Sequence, residues 1–218
     1  MVGSTVLRLR QTFTRALLAG DSGAAEGAVA AAMQLGLTAA EIDIELIAPA
    51  LWVVGEKWSS GAITVADEHL ASEIALRVLA LQREARQTIR RRRQRRVLLL
   101  APEGERHVIG LHMAADLLFG AGYDTYMLGA DVPLADVGRA AARYDADVVC
   151  FTATMPETGE RLDAAIDYLR GARPGCAVLL GGSAVPFEVV AGWGATMCAD
   201  VSSTVENVDA LMHRAPLN

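Results

Sequence analysis

The hydrophobic pattern of this 218-residue chain changes its period near residue 96, and this change constrains the fold more than any other feature. Beyond that point, short apolar runs alternate with segments in which apolar residues recur at helical spacing. Such alternation favours a parallel sheet covered by helices on both faces. Five runs predict a flavodoxin-like, doubly wound α/β domain with strands at 97–101, 125–128, 148–151, 178–180 and 195–198. The accompanying helices are expected at 107–121, 134–144, 157–171, 186–192 and 205–213.

The pattern of the residues before this change predicts helices. Asp21 can cap a second helix, and Thr38 with Glu41 forms a capping box that opens a third. Thr64 can cap a long fourth helix. Four amphipathic helices with short connections predict an antiparallel bundle. We therefore expect two domains, a four-helix bundle over residues 1–92 and a Rossmann-type sheet domain over residues 93–218.

Composition narrows the class of protein. No uninterrupted apolar stretch reaches the roughly 18–20 residues of a membrane span, and the N-terminus lacks the apolar block of a signal peptide. We therefore expect a cytoplasmic protein without membrane contact. The three cysteines form no CxxC pair, and two of them sit in or beside apolar runs, which favours buried, inert thiols.

Charge is distributed unevenly along the chain. Residues 1–96 carry 13 basic and 10 acidic side chains, whereas residues 97–218 carry 7 basic and 16 acidic ones. An acidic second half argues against a broad nucleic-acid surface, so direct DNA binding is not expected. An arginine-rich run at 89–96 suits either a phosphate-binding patch or a solvated helix end, and the absence of accompanying aromatic residues favours the second.

Residues that could bind a ligand follow the first, third and fourth expected strands. They are Glu105, His107, Gly110, Thr152, Thr154, Gly181 and Gly182. All of them fall at the carboxyl ends of the strands, which is where this fold binds ligands. Paired glycines would let a bulky group approach the backbone, and threonine hydroxyls can hydrogen-bond that group.

His107 is the candidate metal ligand of this edge. One imidazole can ligate a metal that arrives with its other ligands in place, and Glu105 could accept the second ring N–H and fix the tautomer. The alternative is a surface histidine at a helix start. That alternative would be favoured for an isolated Glu-x-His-x-x-Gly, but the spacings to the threonines and glycines favour the ligand.

This pattern resembles the cobalamin-binding domain shared by methionine synthase, base-off mutases and corrinoid proteins. The family signature is Asp-x-His-x-x-Gly, followed at set intervals by Ser-x-Leu and Gly-Gly. Here Glu105 replaces the aspartate, and Thr152-Ala153-Thr154 replaces Ser-x-Leu. The resemblance implies that His107 is the lower axial cobalt ligand. It also implies that the cofactor lies against the rest of the signature, namely Glu105, Arg106, Val108, Ile109, Gly110, Thr152, Thr154, Gly181 and Gly182.

The helical half carries a second signature, in which nine residues separate Trp58 from Glu68 and His69. Trp58 is expected in an exposed, glycine-rich connection, where its indole with the neighbouring carboxylate and imidazole could form a lid. By itself the pattern favours a core tryptophan beside a surface Glu-His pair.

The longer segment 54–73 resembles the bundle of cobalamin-dependent photoreceptors of the MerR-type regulator class. In that family the bundle caps the upper face of adenosylcobalamin. The resemblance implies that Trp58 shields the upper axial ligand and that Val65 packs against it. Glu68 would contact the adenosyl group, and His69 would support the pocket.

Two departures from those regulators affect the expected function. They carry an N-terminal winged-helix DNA-binding domain, for which we expect no room in this sequence, and Ser59 stands where some of them have a cobalt-capturing histidine. The resemblance implies a sensor or regulatory protein that responds to light through adenosylcobalamin, with methylcobalamin as the second choice. Its output would pass through a protein partner or a homo-oligomer.

One alternative function is a corrinoid shuttle that carries a methyl group for separate methyltransferases. Another is a cobalamin-storage or regulatory subunit without photochemistry. Catalysis by the chain's own side chains is not expected, because no Ser/His/Asp or paired-carboxylate arrangement and no P-loop or GxGxxG motif occurs.

Overall fold

A computed structural model of the chain describes residues 2–85 and 93–214. The chain divides into two compact units, one up to Ile89 and the other from Arg90 onward. The part of the arginine run that precedes Arg93 lies outside the described residues, as does the expected domain boundary at residue 92.

The first unit is a bundle of four helical stretches, as predicted. Its elements are α1 (Val2–Ala19), α2 (Ser22–Gln34), α3 (Ala39–Ile42), a π-helix (Asp43–Ile47), α4 (Ala48–Ser59) and α5 (Val65–Ala85). The predicted caps of α2 and α3 are present, since the side chain of Asp21 accepts from the Ala24 N–H and Thr38 with Glu41 forms the capping box. Thr64 and Asp67 make the same reciprocal pair at the start of α5.

The π-helix joins α3 to α4 without a break. Pro49, in the first turn of α4, has no N–H to donate to the carbonyl of Glu45, and its ring would clash with that carbonyl in a regular α-helix. The wider π turn relieves the clash. Arg10 of α1 donates its Nε–H to the Glu45 carbonyl and pairs with the Glu45 carboxylate at 2.6 Å, so the freed acceptor is satisfied from a neighbouring helix.

The second unit is a five-stranded parallel sheet with the order β2-β1-β3-β4-β5, which confirms the flavodoxin-like prediction. The strands are β1 (Arg96–Pro102), β2 (Asp124–Val132), β3 (Val148–Thr152), β4 (Ala177–Gly181) and β5 (Thr196–Cys198). The helices are α6 (Ile109–Gly120), α7 (Leu134–Arg143), α8 (Pro156–Gly159), α9 (Leu162–Ala172) and α10 (Thr204–Arg214), with 3-10 turns at Phe187–Val189 and Val201–Ser203.

Two expected helices differ from those observed. The helix predicted at 157–171 is split into α8 and α9, and the helix predicted at 186–192 is reduced to one 3-10 turn. At the first of these sites, Gly159 is packed so tightly that a Cβ there would lie 2.2 Å from the carbonyl oxygen of Ala184. At the second, Trp193 donates its indole N–H to Asp163 at 2.7 Å, which holds the segment as an irregular loop against the start of α9.

The core of the sheet unit lies on both faces of the sheet. Leu98 and Leu100 of β1 face one apolar layer with α7 and α9, while Val97 and Leu99 face the other with α6 and α10. The alternation follows from the period-2 geometry of a strand buried on both sides. Cys150 and Cys176 are buried, as predicted, and burial raises the pKa of both thiols. Within the described ranges, no helix is long and apolar enough to cross a membrane.

Candidate functional site at the carboxyl edge of the sheet

His107 lies in the loop between β1 and α6, at the carboxyl edge of the sheet. Its side chain is 41% exposed, whereas the side chain of Glu105 in the same loop is fully buried. The hydrogen bond expected between them is present, because the ring Nδ1 lies 2.7 Å from Glu105 Oε1. The same oxygen accepts from the His107 backbone N–H at 2.9 Å. The imidazole is therefore held by a buried carboxylate and directed outward.

The other oxygen of Glu105, Oε2, is held by the loop that follows β3. It accepts from the Thr154 N–H at 2.6 Å and the Thr154 hydroxyl at 3.0 Å. It also accepts from the Thr158 hydroxyl at 2.8 Å and from the Met155 N–H at 3.3 Å. Thr154 was expected to offer its hydroxyl to a ligand, but that hydroxyl is directed at Glu105.

The electrostatics of Glu105 fix the tautomer of His107. Burial by itself would raise the pKa of the Glu105 carboxyl, but the hydrogen bonds from His107, Thr154 and Thr158 outweigh it and hold the pKa well below its usual range. Glu105 is therefore ionised at neutral pH. An ionised carboxylate at Nδ1 requires a proton on Nδ1, so the neutral ring carries its lone pair on Nε2.

The glycine pair brings the loops after β3 and β4 together. Gly182 has a φ of +106°, and a Cβ there would lie 2.1 Å from the carbonyl oxygen of Ala153. A Cβ at Gly181 would meet nothing closer than 3.8 Å. The space beside Gly182 is thus occupied by the β3 loop, so this glycine is required by loop packing. Thr152, at the end of β3, is buried and lies opposite Gly181 in the sheet.

The remaining residues of the histidine loop occupy different environments. Arg106 and Gly110 are exposed, and a Cβ at Gly110 would have no neighbour within 4 Å. Val108 is half-buried and packs on the apolar layer shared with α6, and Ile109 begins that helix.

Sequence reasoning missed two residues that shape this edge. Thr158 completes the hydrogen bonding of Glu105, and Asp131, at the end of β2, accepts from the Gly104 N–H at 2.7 Å. The position of Thr158 shortly after a strand end was the available signal. Asp131 gave none, because its contact depends on the register between β1 and β2.

In the bundle, Trp58 lies in the last turn of α4 and is half-buried, so its expected place in an exposed connection is wrong. The glycine-rich segment continues the helix because the Ser60 N–H donates to the Glu56 carbonyl at 3.0 Å, and the chain turns only at Gly61, with φ +73°. Val65 is exposed at the first position of α5.

Glu68 and His69 form a contact on α5. Glu68 Oε2 lies 2.6 Å from His69 Nδ1, and Glu68 Oε1 accepts from the Ser72 hydroxyl at 2.6 Å. The side chain of Glu68 is 14% exposed and that of His69 is 71% exposed. The bundle thus presents a carboxylate fixed by two neighbours and an exposed imidazole.

The donor set of the sheet edge fits a metal that brings most of its ligands with it. His107 supplies one imidazole whose orientation is fixed by the hydrogen bond from Nδ1 to Glu105, the arrangement that metal-ligating histidines usually have. A cobalt ion that arrives inside a corrin ring would find a further nitrogen donor in His107.

Comparison with known proteins identifies the domain family. A B12 binding domain model matches residues 95–206, and a second B12 binding domain model matches residues 9–82. The HTH-type transcriptional repressor CarH of Myxococcus xanthus is 37% identical over 142 residues, which cover 64% of this chain and 46% of the repressor. Dimethylamine corrinoid protein 3 of Methanosarcina acetivorans is 32% identical over 83 residues, or 37% of this chain and 39% of that protein.

The chain spans less than half the length of these two curated relatives. Its fold matches that of the monomethylamine corrinoid protein of Methanosarcina barkeri over 92% of this chain and 96% of that one, with a TM-score of 0.77 and 19% identity. The matched domains include the sheet edge with His107 and the bundle segment with Trp58 and Glu68. The chain therefore belongs to the B12-binding domain family, and it is a cobalamin-binding protein.

Proposed function

We propose that this protein is a light-responsive sensor or regulatory protein that uses adenosylcobalamin, with His107 as the lower axial ligand of the cobalt. The observation that carries the lower-ligand assignment is the 2.7 Å contact between His107 Nδ1 and the buried carboxylate of Glu105. The sensing role is supported by the 37% identity to the repressor CarH, a regulatory protein.

Glu105 and the β3 loop prepare His107 for this role. The carboxylate keeps the proton on Nδ1, so that Nε2 has the electron pair that an axial ligand needs. Thr154 and Thr158 hold the carboxylate, and thus the ring, in one orientation before any ligand arrives. When bound, an alkylcobalamin supplies a cobalt–carbon bond that light can break.

We propose further that Trp58, Val65, Glu68 and His69 bind the upper side of the cofactor. The second B12 binding domain match, over residues 9–82, supports this part. Ser59 itself offers no imidazole to that side, and its hydroxyl donates to the Glu56 carbonyl at 3.0 Å. Loss of the alkyl group would then not be followed by histidine capture from this position.

The output is proposed to pass through a protein partner or a second copy of the chain and not directly through DNA. Support comes from the charge of residues 97–218, with 7 basic against 16 acidic side chains. A DNA-binding surface needs an excess of basic side chains, because affinity for the duplex comes largely from phosphate contacts.

The test is reconstitution with adenosylcobalamin in the dark, followed by green light. We expect the absorbance spectrum to change irreversibly and the size-exclusion profile or the binding of a partner to change with it. A hydroxocobalamin-loaded sample, which has no alkyl group to lose, is the control. If illumination changes the spectrum but leaves mass, shape and partner binding unaltered, the sensor proposal is wrong.

The second candidate function is a corrinoid shuttle for separate methyltransferases. It is favoured by the 32% identity to dimethylamine corrinoid protein 3 and by the serine at position 59. Methylcobalamin-loaded protein incubated in the dark with a candidate methyltransferase would distinguish the two. Enzyme-dependent loss of the methyl group supports the shuttle, and its absence together with a light response supports the sensor.

A further inference from the structure

The end of β2 is irregular where it passes the histidine loop. Along β1, Leu99 pairs with Met127, Leu100 with Gly129 and Pro102 with Val132, so β2 contains one extra residue in each interval. Gly129 and Asp131 have φ values of +87° and +58°. Bulges of this kind bend a strand and redirect a side chain, and they occur frequently beside functional sites.

The second bulge directs Asp131 onto the loop that carries His107. Asp131 Oδ1 accepts from the Gly104 N–H at 2.7 Å, and the Asp131 N–H donates to the Glu105 carbonyl at 2.9 Å. These two hydrogen bonds hold the backbone of Gly104 and of Glu105, and the side chain of Glu105 orients His107. Asp131 adopts the left-handed conformation that aspartate and asparagine tolerate better than other side chains.

We propose that Asp131 is a positioning residue for His107 and thereby sets how well the protein holds cobalamin. The β3 loop fixes the Glu105 carboxylate, and Arg161 donates to the Glu103 carbonyl at 2.8 Å. Asp131 adds a restraint on the Gly104 N–H, which lies between these contacts. The part of this inference that concerns cobalamin rests on the proposed function of His107.

Three substitutions of Asp131 distinguish the contribution of its carboxylate from that of its left-handed backbone conformation. Asp131→Gly keeps the left-handed backbone without strain but removes the acceptor. Asp131→Asn keeps an acceptor oxygen and tolerates the same backbone. Asp131→Ala removes the acceptor and disfavours the backbone.

Asp145 provides a matched control. It has a φ of +52° and precedes β3 at the opposite edge of the sheet, where its carboxylate pairs with Arg96 and Arg173. Asp145→Gly therefore makes the same chemical change in the same backbone conformation, away from the histidine loop.

The first measurement is amide hydrogen exchange of the protein without cofactor. In Asp131→Gly we expect the Gly104 and His107 amides to exchange about tenfold faster, because a charge-assisted hydrogen bond is lost. Asp131→Asn and Asp145→Gly should leave these amides near the wild-type rate. Unchanged exchange in Asp131→Gly would overturn the inference.

The second measurement is the spectrum and the dissociation rate of hydroxocobalamin. We expect Asp131→Gly to release the cofactor about tenfold faster and to populate more of the form without histidine ligation, with Asp131→Asn restoring both. Faster release with unchanged loop exchange would mean that Asp131 touches the cofactor directly, and it would overturn the positioning role. If the wild type itself binds no hydroxocobalamin, the proposed function fails, while the exchange rates still decide whether Asp131 holds the loop.

Discussion

At the scale of single residues, the site is built around a charged group buried at the edge of the sheet. Burial opposes the charge of Glu105, and hydrogen bonds from two loops outweigh that opposition. The result is an imidazole whose protonation pattern is set before a metal binds. Substitutions of His107 and of Glu105 test the two members of this contact separately.

His107→Ala should remove the axial ligand. We expect cobalamin to bind at least tenfold more weakly, or to bind with the spectrum of a cobalt that lacks a protein nitrogen. Titration monitored by visible absorbance measures both effects. His213→Ala, the same change on α10, is the control and should bind as the wild type does. An unchanged spectrum in His107→Ala would exclude the ligand assignment.

Glu105→Gln should destabilise the sheet unit by about 3 kcal/mol at neutral pH, because it removes a buried charge that accepts several hydrogen bonds. The pKa of Glu105 in the folded protein lies below its ordinary value of 4.5. The unfolded state therefore takes up a proton first as the pH falls, so the contribution of Glu105 is complete above pH 4.5 and decreases below it.

The measurement is urea denaturation of wild type and Glu105→Gln between pH 7 and pH 3, followed by circular dichroism. The difference in unfolding free energy should narrow as the pH falls below 4.5. A difference that stays constant with pH would show that the charge of Glu105 contributes nothing to stability.

The Glu105–His107 contact was predictable because the two residues lie two positions apart in one loop. The same reasoning did not predict that the Thr154 hydroxyl donates to Glu105. Asp131 could not be found from sequence, since no motif marks the extra residues that bring it to Gly104. Local pairs follow from spacing, whereas contacts between strands depend on register.

At the scale of elements, the loops after β3 and β4 interlock at one glycine. Gly182→Ala places a methyl group against the Ala153 carbonyl in a backbone conformation that alanine disfavours. We expect it to lower the free energy of unfolding by more than about 2 kcal/mol.

Gly181→Ala is the matched control, because its added methyl group would make only an ordinary contact at 3.8 Å. Chemical denaturation of both variants measures their free energies of unfolding. A loss in Gly182→Ala alone would show that Gly182 is required for loop packing and not only for access of a ligand. Equal stability of the two variants would contradict the packing explanation.

The elements were predictable where hydrophobic period and capping agreed. All five strands and the caps at Asp21 and Thr38 occur as expected. The break between α8 and α9 was not predictable, because it reflects a close approach of Gly159 to Ala184. The prediction for Trp58 was wrong because the glycines around it favour a loop locally, whereas the helix continues through Gly55 and turns only at Gly61.

At the scale of the whole molecule, the proposed function assigns different parts of one cofactor to the two units. Hydroxocobalamin and adenosylcobalamin share the lower side and differ in the upper ligand. We therefore expect both cobalamins to slow amide exchange around His107. They should also slow exchange in the core strands of the sheet unit, because those amides exchange only when the unit unfolds. At about 100 times the dissociation constant, binding should add about 2.7 kcal/mol to the stability of that unit.

Only adenosylcobalamin should give additional protection near Trp58 and Glu68, because only it carries the group these residues are proposed to bind. Hydrogen exchange of the full chain in the dark, with each cobalamin and without any, measures this difference. His107→Ala is the control, and it should reduce protection of the sheet unit by both cofactors. Equal protection of the bundle by the two cobalamins would mean that it does not recognise the adenosyl group, which would contradict the proposed roles of Trp58 and Glu68 and favour the shuttle.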